Sequence, residues 1–210
     1  NDRGDAKYNL KDYYGAIADY NKAIEINPNY TSAYYNRGIV KFILKDYYEA
    51  IADYNKVIEL NPNNARAYSK RGVIKFTLKD YYEAIADYTK AIELNPDYAR
   101  AYLNRGLAKV NLKDYKRAIA DFSKAIELNP NYTSAYYNRG GVKFILKDYY
   151  EAIADYNKAI ELNPNDARYY SNRGIAKENT RDLNGACADW RRAVILGDTN
   201  SAKWVRNQCN

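Results

Sequence analysis

The ten residues KDYYEAIADY at 45–54 recur unchanged at 79–88 and 147–156, with close variants beginning at 11, 113 and 181. A fixed period of this kind decides the architecture before any single motif does. The chain's prolines, Pro28, Pro62, Pro96, Pro130 and Pro164, stand 34 residues apart, and the same step links Gly4, Gly38, Gly72, Gly106, Gly140 and Gly174. The sequence therefore divides into six copies of one unit, 1–30, 31–64, 65–98, 99–132, 133–166 and 167–200, followed by a tail at 201–210. The first copy lacks its opening residues. The last is degenerate, with Trp190 in the aromatic position, Cys187 in place of an isoleucine and Gly197-Asp198 where Asn-Pro is expected.

Each copy reads as two helices. In the second, Thr31 to Leu44 has no proline and carries Tyr34, Tyr35, Ile39, Val40, Phe42 and Ile43 around more than one side, as a helix with partners on two faces would. Asp46 stands at the N-cap position of the next segment with Glu49 three residues on, which predicts a reciprocal capping box; Asp80/Glu83 and Asp148/Glu151 repeat it. The second helix, Tyr47 to Leu60, places Ala50, Ile51, Tyr54, Val57 and Ile58 on one stripe and ends at Asn61-Pro62, because the residue before proline disfavours the helical region. A hairpin of this size cannot bury its apolar face alone, so stacking on neighbours must do it. The expected class is all-α, and the tail from Ser201 to Gln208 is expected to be a helix capping the last hairpin.

These residues resemble the tetratricopeptide repeat family. Its aromatic, glycine, alanine, aromatic, alanine and proline positions are met by Tyr68, Gly72, Ala84, Tyr88, Ala91 and Pro96 in copy three, by Tyr102, Gly106, Ala118, Phe122, Ala125 and Pro130 in copy four, and by Tyr136, Gly140, Ala152, Tyr156, Ala159 and Pro164 in copy five. Copy two matches with Val57 at the second alanine position. The resemblance implies antiparallel helix pairs wound into a right-handed superhelical α-solenoid, whose first helices line a concave groove that binds peptides or proteins. It implies a protein-interaction module with no cofactor.

Two positions depart from the family. An arginine precedes the glycine and a lysine follows it by three residues in every copy, Arg37 and Lys41 in copy two, while Asp19, Asp53, Asp87, Asp121, Asp155 and Asp189 recur in the second helices at the same period. An Arg37–Asp53 pair between the helices of one repeat, copied along the chain, would answer the arginine, since half-buried charges are normally paired.

Other function classes fare poorly. The chain has no histidine, the commonest general base and metal ligand. Two cysteines without histidine cannot complete a structural zinc site, and no glycine-rich loop follows a strand to cradle phosphate. The carboxylates obey the period, where a catalytic pair should break it. The net charge of +7 raises nucleic acid as a partner, but the excess is local, around Lys113, Lys116 and Arg117 and around Arg191 and Arg192, not a continuous basic stripe. No run of apolar residues is long enough to insert in a membrane.

The family's geometry places Tyr35, Asn36, Ile39 and Phe42, then Arg66, Lys70, Val73 and Phe76, then Arg100, Leu103, Asn104, Leu107 and Val110, and finally Tyr137, Asn138 and Phe144 on the groove. That is an apolar floor with a basic middle, suited to a peptide bearing acidic and apolar residues. One branch of the family holds a terminal carboxylate between lysines, asparagines and an arginine. Asn36, Arg66 and Lys70 match three of those positions, whereas Asn1 and Asp5 depart, and Asp5 would repel a carboxylate. The rival readings are a self-associating scaffold, a homo-oligomer stacked through the incomplete first repeat, and an adaptor segment of a larger protein. The chain opens inside a repeat without methionine, as a fragment would.

Cys187 and Cys209 are the only cysteines. Bridged, they would fasten the capping helix in a periplasmic or secreted protein; reduced, they are small buried residues of a cytoplasmic one. Residues 29–63 and 131–165 differ only at Ile39/Gly141 and Val57/Ala159, which points to internal duplication, and Gly141 opens the groove where it stands.

Overall fold

The computed structural model describes residues 2–209, so Asn1, one of the two positions at which the clamp pattern departs, and Asn210 lie outside the described residues. Two compact units, residues 1–108 and 109–210, make up the chain. Unit 1 contains α1 (Asp2–Asn9), α2 (Tyr13–Ile26), α3 (Thr31–Ile43), α4 (Tyr47–Leu60), α5 (Ala65–Thr77) and α6 (Tyr81–Leu94), and ends within α7 (Ala99–Asn111). Unit 2 contains α8 (Tyr115–Leu128), α9 (Thr133–Ile145), α10 (Tyr149–Leu162), α11 (Ala167–Asn179), α12 (Leu183–Ile195) and α13 (Ser201–Gln208). Among the described residues there is no strand. Within each unit consecutive helices pack on one another, α3 on α4 and α4 on α5, α9 on α10 and α10 on α11. This is an α-solenoid arrangement in which each hairpin covers the apolar face of the next.

The repeated small residues are the packing joints. Ala50, Tyr54, Val57, Ala67 and Ile74 form one buried cluster in unit 1; Ala152, Tyr156 and Ala176 form its counterpart in unit 2. Gly72 lets α5 lie against the Tyr88 ring: a Cβ there would stand 2.9 Å from the ring carbon Cε1, inside ordinary contact.

The periodic charges form a ladder. Arg37 donates from Nη2 to Asp53 Oδ1 at 2.5 Å and from Nε to Oδ2 at 3.0 Å. Arg3–Asp19, Arg71–Asp87, Arg139–Asp155 and Arg173–Asp189 repeat the pair. The lysine three residues past the glycine closes on the same carboxylate, Lys41 on Asp53 at 3.0 Å and Lys143 on Asp155 at 3.0 Å, so one aspartate answers both departures from the family pattern. The remaining arginine nitrogen reaches the preceding hairpin: Arg37 Nη1 donates to Asn21 at 2.6 Å, Arg71 to Asn55 at 2.6 Å and Arg139 to Ser123 at 2.9 Å. A buried charge thereby has its hydrogen bonds filled and hairpins are tied together at one point.

The capping boxes are not formed. Asp46, Asp80 and Asp148 sit at N-cap positions without a side-chain cap hydrogen bond, and Glu49, Glu83 and Glu151 turn to Lys41, Lys75 and Lys143. Where glutamate is absent three residues on, the aspartate does cap: Asp12 accepts from Gly15, Asp114 from Arg117 and Asp182 from Gly185. Two carboxylates three residues apart repel, and a lysine offers the glutamate a stronger partner than an amide.

The turn between the two helices of a repeat holds Lys11, Lys45, Lys79, Lys113, Lys147 and Arg181 at φ between 61° and 68°, the left-handed region usually given to glycine. The Lys45 amide bonds to Phe42 O and that of Asp46 to Lys41 O, closing the first helix.

Candidate functional site

In unit 1 the sequence-derived groove residues of α3 and α5 meet. Ile39, Phe42, Lys70, Val73 and Arg100 line one pocket of about 90 Å³, together with Tyr54, Ser69 and Tyr98. A second cleft of about 350 Å³ is lined by Tyr35, Asn36 and Arg66. Phe76 packs on Tyr81, ring centroids 5.5 Å apart. Leu103 departs from expectation: it is 7% exposed, packed into the core and closed to a ligand. Asn104 and Leu107 are half-buried, as is Val110 at the start of unit 2.

The basic middle differs in kind from the ladder. Among the described residues Arg66, Lys70 and Arg100 have no ion pair, whereas Arg37 and Arg71 are locked to aspartates. Burial, and then the charge of Arg100, push the Lys70 ammonium below the ordinary lysine pKa. Burial, with Tyr98 beside it, pushes the Tyr35 phenol up, against the opposing pull of Arg66 and Arg100. Lys70 and Arg100 thus face one apolar-walled recess while Arg66 lines a second cleft, and what the three lack is an anion.

The carboxylate-clamp positions are not free. Asp5 Oδ1 accepts from Asn36 Nδ2 at 2.9 Å and from the Tyr20 hydroxyl at 2.6 Å, so the matching asparagine is engaged internally.

In unit 2 the equivalent surface is neutral. Tyr137 packs against Tyr156 and Tyr169, with centroids at 6.0 and 5.1 Å, and accepts from Asn172 Nδ2 at 3.0 Å. Arg168, the counterpart of Arg66, is held by Asp166 at 2.5 Å, where unit 1 has the uncharged Asn64. Asn138 turns back to donate to Ser134 O at 2.7 Å, and Phe144 packs on Tyr149. Gly141, Phe144, Tyr156, Asn172 and Ile175 line a pocket of about 200 Å³.

Sequence reasoning missed Tyr98, which lies in a turn and not on a helix face, and it missed Asn172 and Ile175 because the sixth copy looked degenerate. Their register was the available signal: they stand where Lys70 and Val73 stand three copies earlier.

Cys187 and Cys209 are joined, S–S 2.05 Å, and α13 covers the end of unit 2 through Trp204 on Trp190, centroids 5.4 Å apart. Among the described residues no cluster suited to a metal ion occurs, and no helix is long and apolar enough to cross a membrane.

A family model described as tetratricopeptide repeat matches residues 31–64, 65–98, 99–132 and 133–166; related models match residues 4–43 and 155–188. No curated protein matches the chain. Among solved structures, MamA is 29% identical with a TM-score of 0.73, over 83% of this chain and 94% of MamA. PilF of Pseudomonas aeruginosa reaches a TM-score of 0.83 at 21% identity over 97% of this chain and 93% of PilF. YrrB, described as a TPR protein with an unusual peptide-binding site, has a TM-score of 0.74 at 24% identity, over 89% of this chain and 97% of YrrB. The last two likenesses establish the fold.

Proposed function

The chain belongs to the tetratricopeptide repeat family, and from that premise we propose that it is a non-catalytic protein-interaction module that binds an extended peptide segment on the first-helix face of unit 1. The observation that carries this reading is the set of three cations without an ion pair, Lys70 and Arg100 lining a recess walled by Ile39, Phe42 and Val73, and Arg66 lining a cleft with Tyr35 and Asn36. Acidic side chains of the partner supply the missing charge, and apolar ones enter between Phe42 and Val73. A free C-terminus is not required, because Asn36 is already committed to Asp5.

Phage-displayed peptides selected on the protein, then titrated against the parent and against an Arg66→Glu, Arg100→Glu variant, test this. Enrichment of acidic-apolar peptides whose affinity falls at least about tenfold in the variant supports it, and a C-terminal amide should leave affinity unchanged. Peptides that bind parent and variant equally would sink the proposal.

Self-association is the second reading, favoured by a different observation. Leu10 and Ile26 are 80% and 78% exposed, and a cleft of about 590 Å³ beside α2 is lined by Arg3, Lys22, Ile26 and Tyr30. Light scattering over a concentration series tests it; a constant monomer mass rejects it.

A further inference from the structure

The internal duplication makes unit 2 a natural comparison for unit 1. Pocket-lining Ile39, Lys70 and Val73 are replaced by Gly141, Asn172 and Ile175, while Phe42 and Tyr54 persist as Phe144 and Tyr156. The free space grows from about 90 to about 200 Å³, and the cation becomes an amide.

Two polar groups are left addressing that space. Tyr156 is 2% exposed, lines the pocket and has no hydrogen-bond partner among the described residues. Among the described residues the one buried side-chain polar atom without a partner is Trp190 Nε1, so the Tyr156 hydroxyl is reached by solvent and is available to bond to a ligand. Gly141 is what uncovers it: a Cβ added there would meet only the Tyr156 hydroxyl, at 3.9 Å. Asn172 spends its Nδ2 on the Tyr137 hydroxyl, which leaves its carbonyl oxygen as an acceptor. Phe144 and Ile175 form apolar walls. Arg168, the register counterpart of Arg66, is paired with Asp166.

We infer that this pocket is a second, neutral subsite, taking the side-chain amide of a glutamine or asparagine in a bound peptide. The Tyr156 hydroxyl donates to the amide oxygen, the Asn172 oxygen accepts from the amide nitrogen, and the methylenes lie between Phe144 and Ile175. A carboxylate is rejected, because it offers no donor to Asn172 and finds no free cation. The inference rests on the peptide-binding reading for its biological use, but the pocket's chemistry is testable without it.

The probe is N-acetylglutamine N-methylamide, titrated into ¹⁵N-labelled protein and followed by amide chemical shifts, with the isosteric N-acetylglutamate N-methylamide as comparison. Shifts at Gly141, Asn172 and Ile175 in the millimolar range, with the glutamate probe at least about tenfold weaker, are expected. Gly141→Ile, which installs the residue of the duplicate copy, should abolish them. Asn172→Lys, which installs the residue of the unit 1 pocket, should reverse the preference toward glutamate. Equal response to the two probes, unchanged binding by Gly141→Ile, or no shifts at these residues would each overturn the inference. If the amide probe binds while the Arg66→Glu, Arg100→Glu variant retains its acidic peptides, the subsite stands and the unit 1 reading falls.

Discussion

The carboxylate of Asp53 holds the guanidinium of Arg37 and the ammonium of Lys41 at once, at 2.5 and 3.0 Å, with 3% of its own side-chain surface exposed. The pair joins the two helices of one hairpin, and through Asn21 the same arginine joins that hairpin to the one before it. Helix packing and hairpin stacking are thereby fixed by one buried charge.

Asp53→Asn removes the charge and keeps the shape, leaving Arg37 and Lys41 half-buried without a counter-ion. A loss of about 3 kcal/mol is expected. Glu59→Gln breaks the exposed Lys56–Glu59 pair, 2.5 Å apart with Glu59 67% exposed, and should cost no more than about 0.5 kcal/mol. Chemical denaturation compares the two; equal midpoints contradict a structural role for the ladder.

Lys79 occupies φ 65°, where a side chain is strained and glycine is not. Lys79→Gly is expected to raise stability by about 1 kcal/mol. Lys90→Gly, within α6, should lower it by a similar amount. Opposite shifts of the melting midpoint are the outcome that supports the turn assignment.

The Cys187–Cys209 bridge closes a separation of 22 residues and fastens α13 over Trp190, which is fully buried. Reduction, or Cys209→Ser, should cost about 3 kcal/mol and shift tryptophan emission to the red as the cap loosens. Unchanged emission would mean that the Trp190–Trp204 contact alone holds the helix.

Because burial and Arg100 depress the Lys70 pKa below that of the unfolded chain, the folded protein binds fewer protons than the unfolded one in the alkaline range. Raising the pH through the lowered value therefore relieves a penalty, and the stability of the free protein rises there. Affinity for an acidic peptide moves the other way, since the charge that attracts it is lost. Calorimetric titration from neutral to alkaline pH should show this weakening in the parent, and Lys70→Arg should flatten it, because guanidinium stays charged throughout.

The sequence by itself determined the helical hairpins, their stacking and the partner of Arg37. All of these follow from period: apolar residues at helical spacing, proline and glycine at fixed steps, and complementary charges recurring together. Period carries no information about competition between neighbours or about which side chains converge. The choice of Glu49 for Lys41 over the helix amide, the capture of Asn36 by Asp5, the burial of Leu103 and the arrival of Tyr98 beside Lys70 were decided by tertiary packing. The same two-residue divergence between the duplicates is plain in the sequence, yet only the fold shows that Ile39 and Gly141 stand over equivalent tyrosines, so that losing one side chain opens the pocket in unit 2, while Asn172 in place of Lys70, just outside the duplicated stretch, makes it neutral.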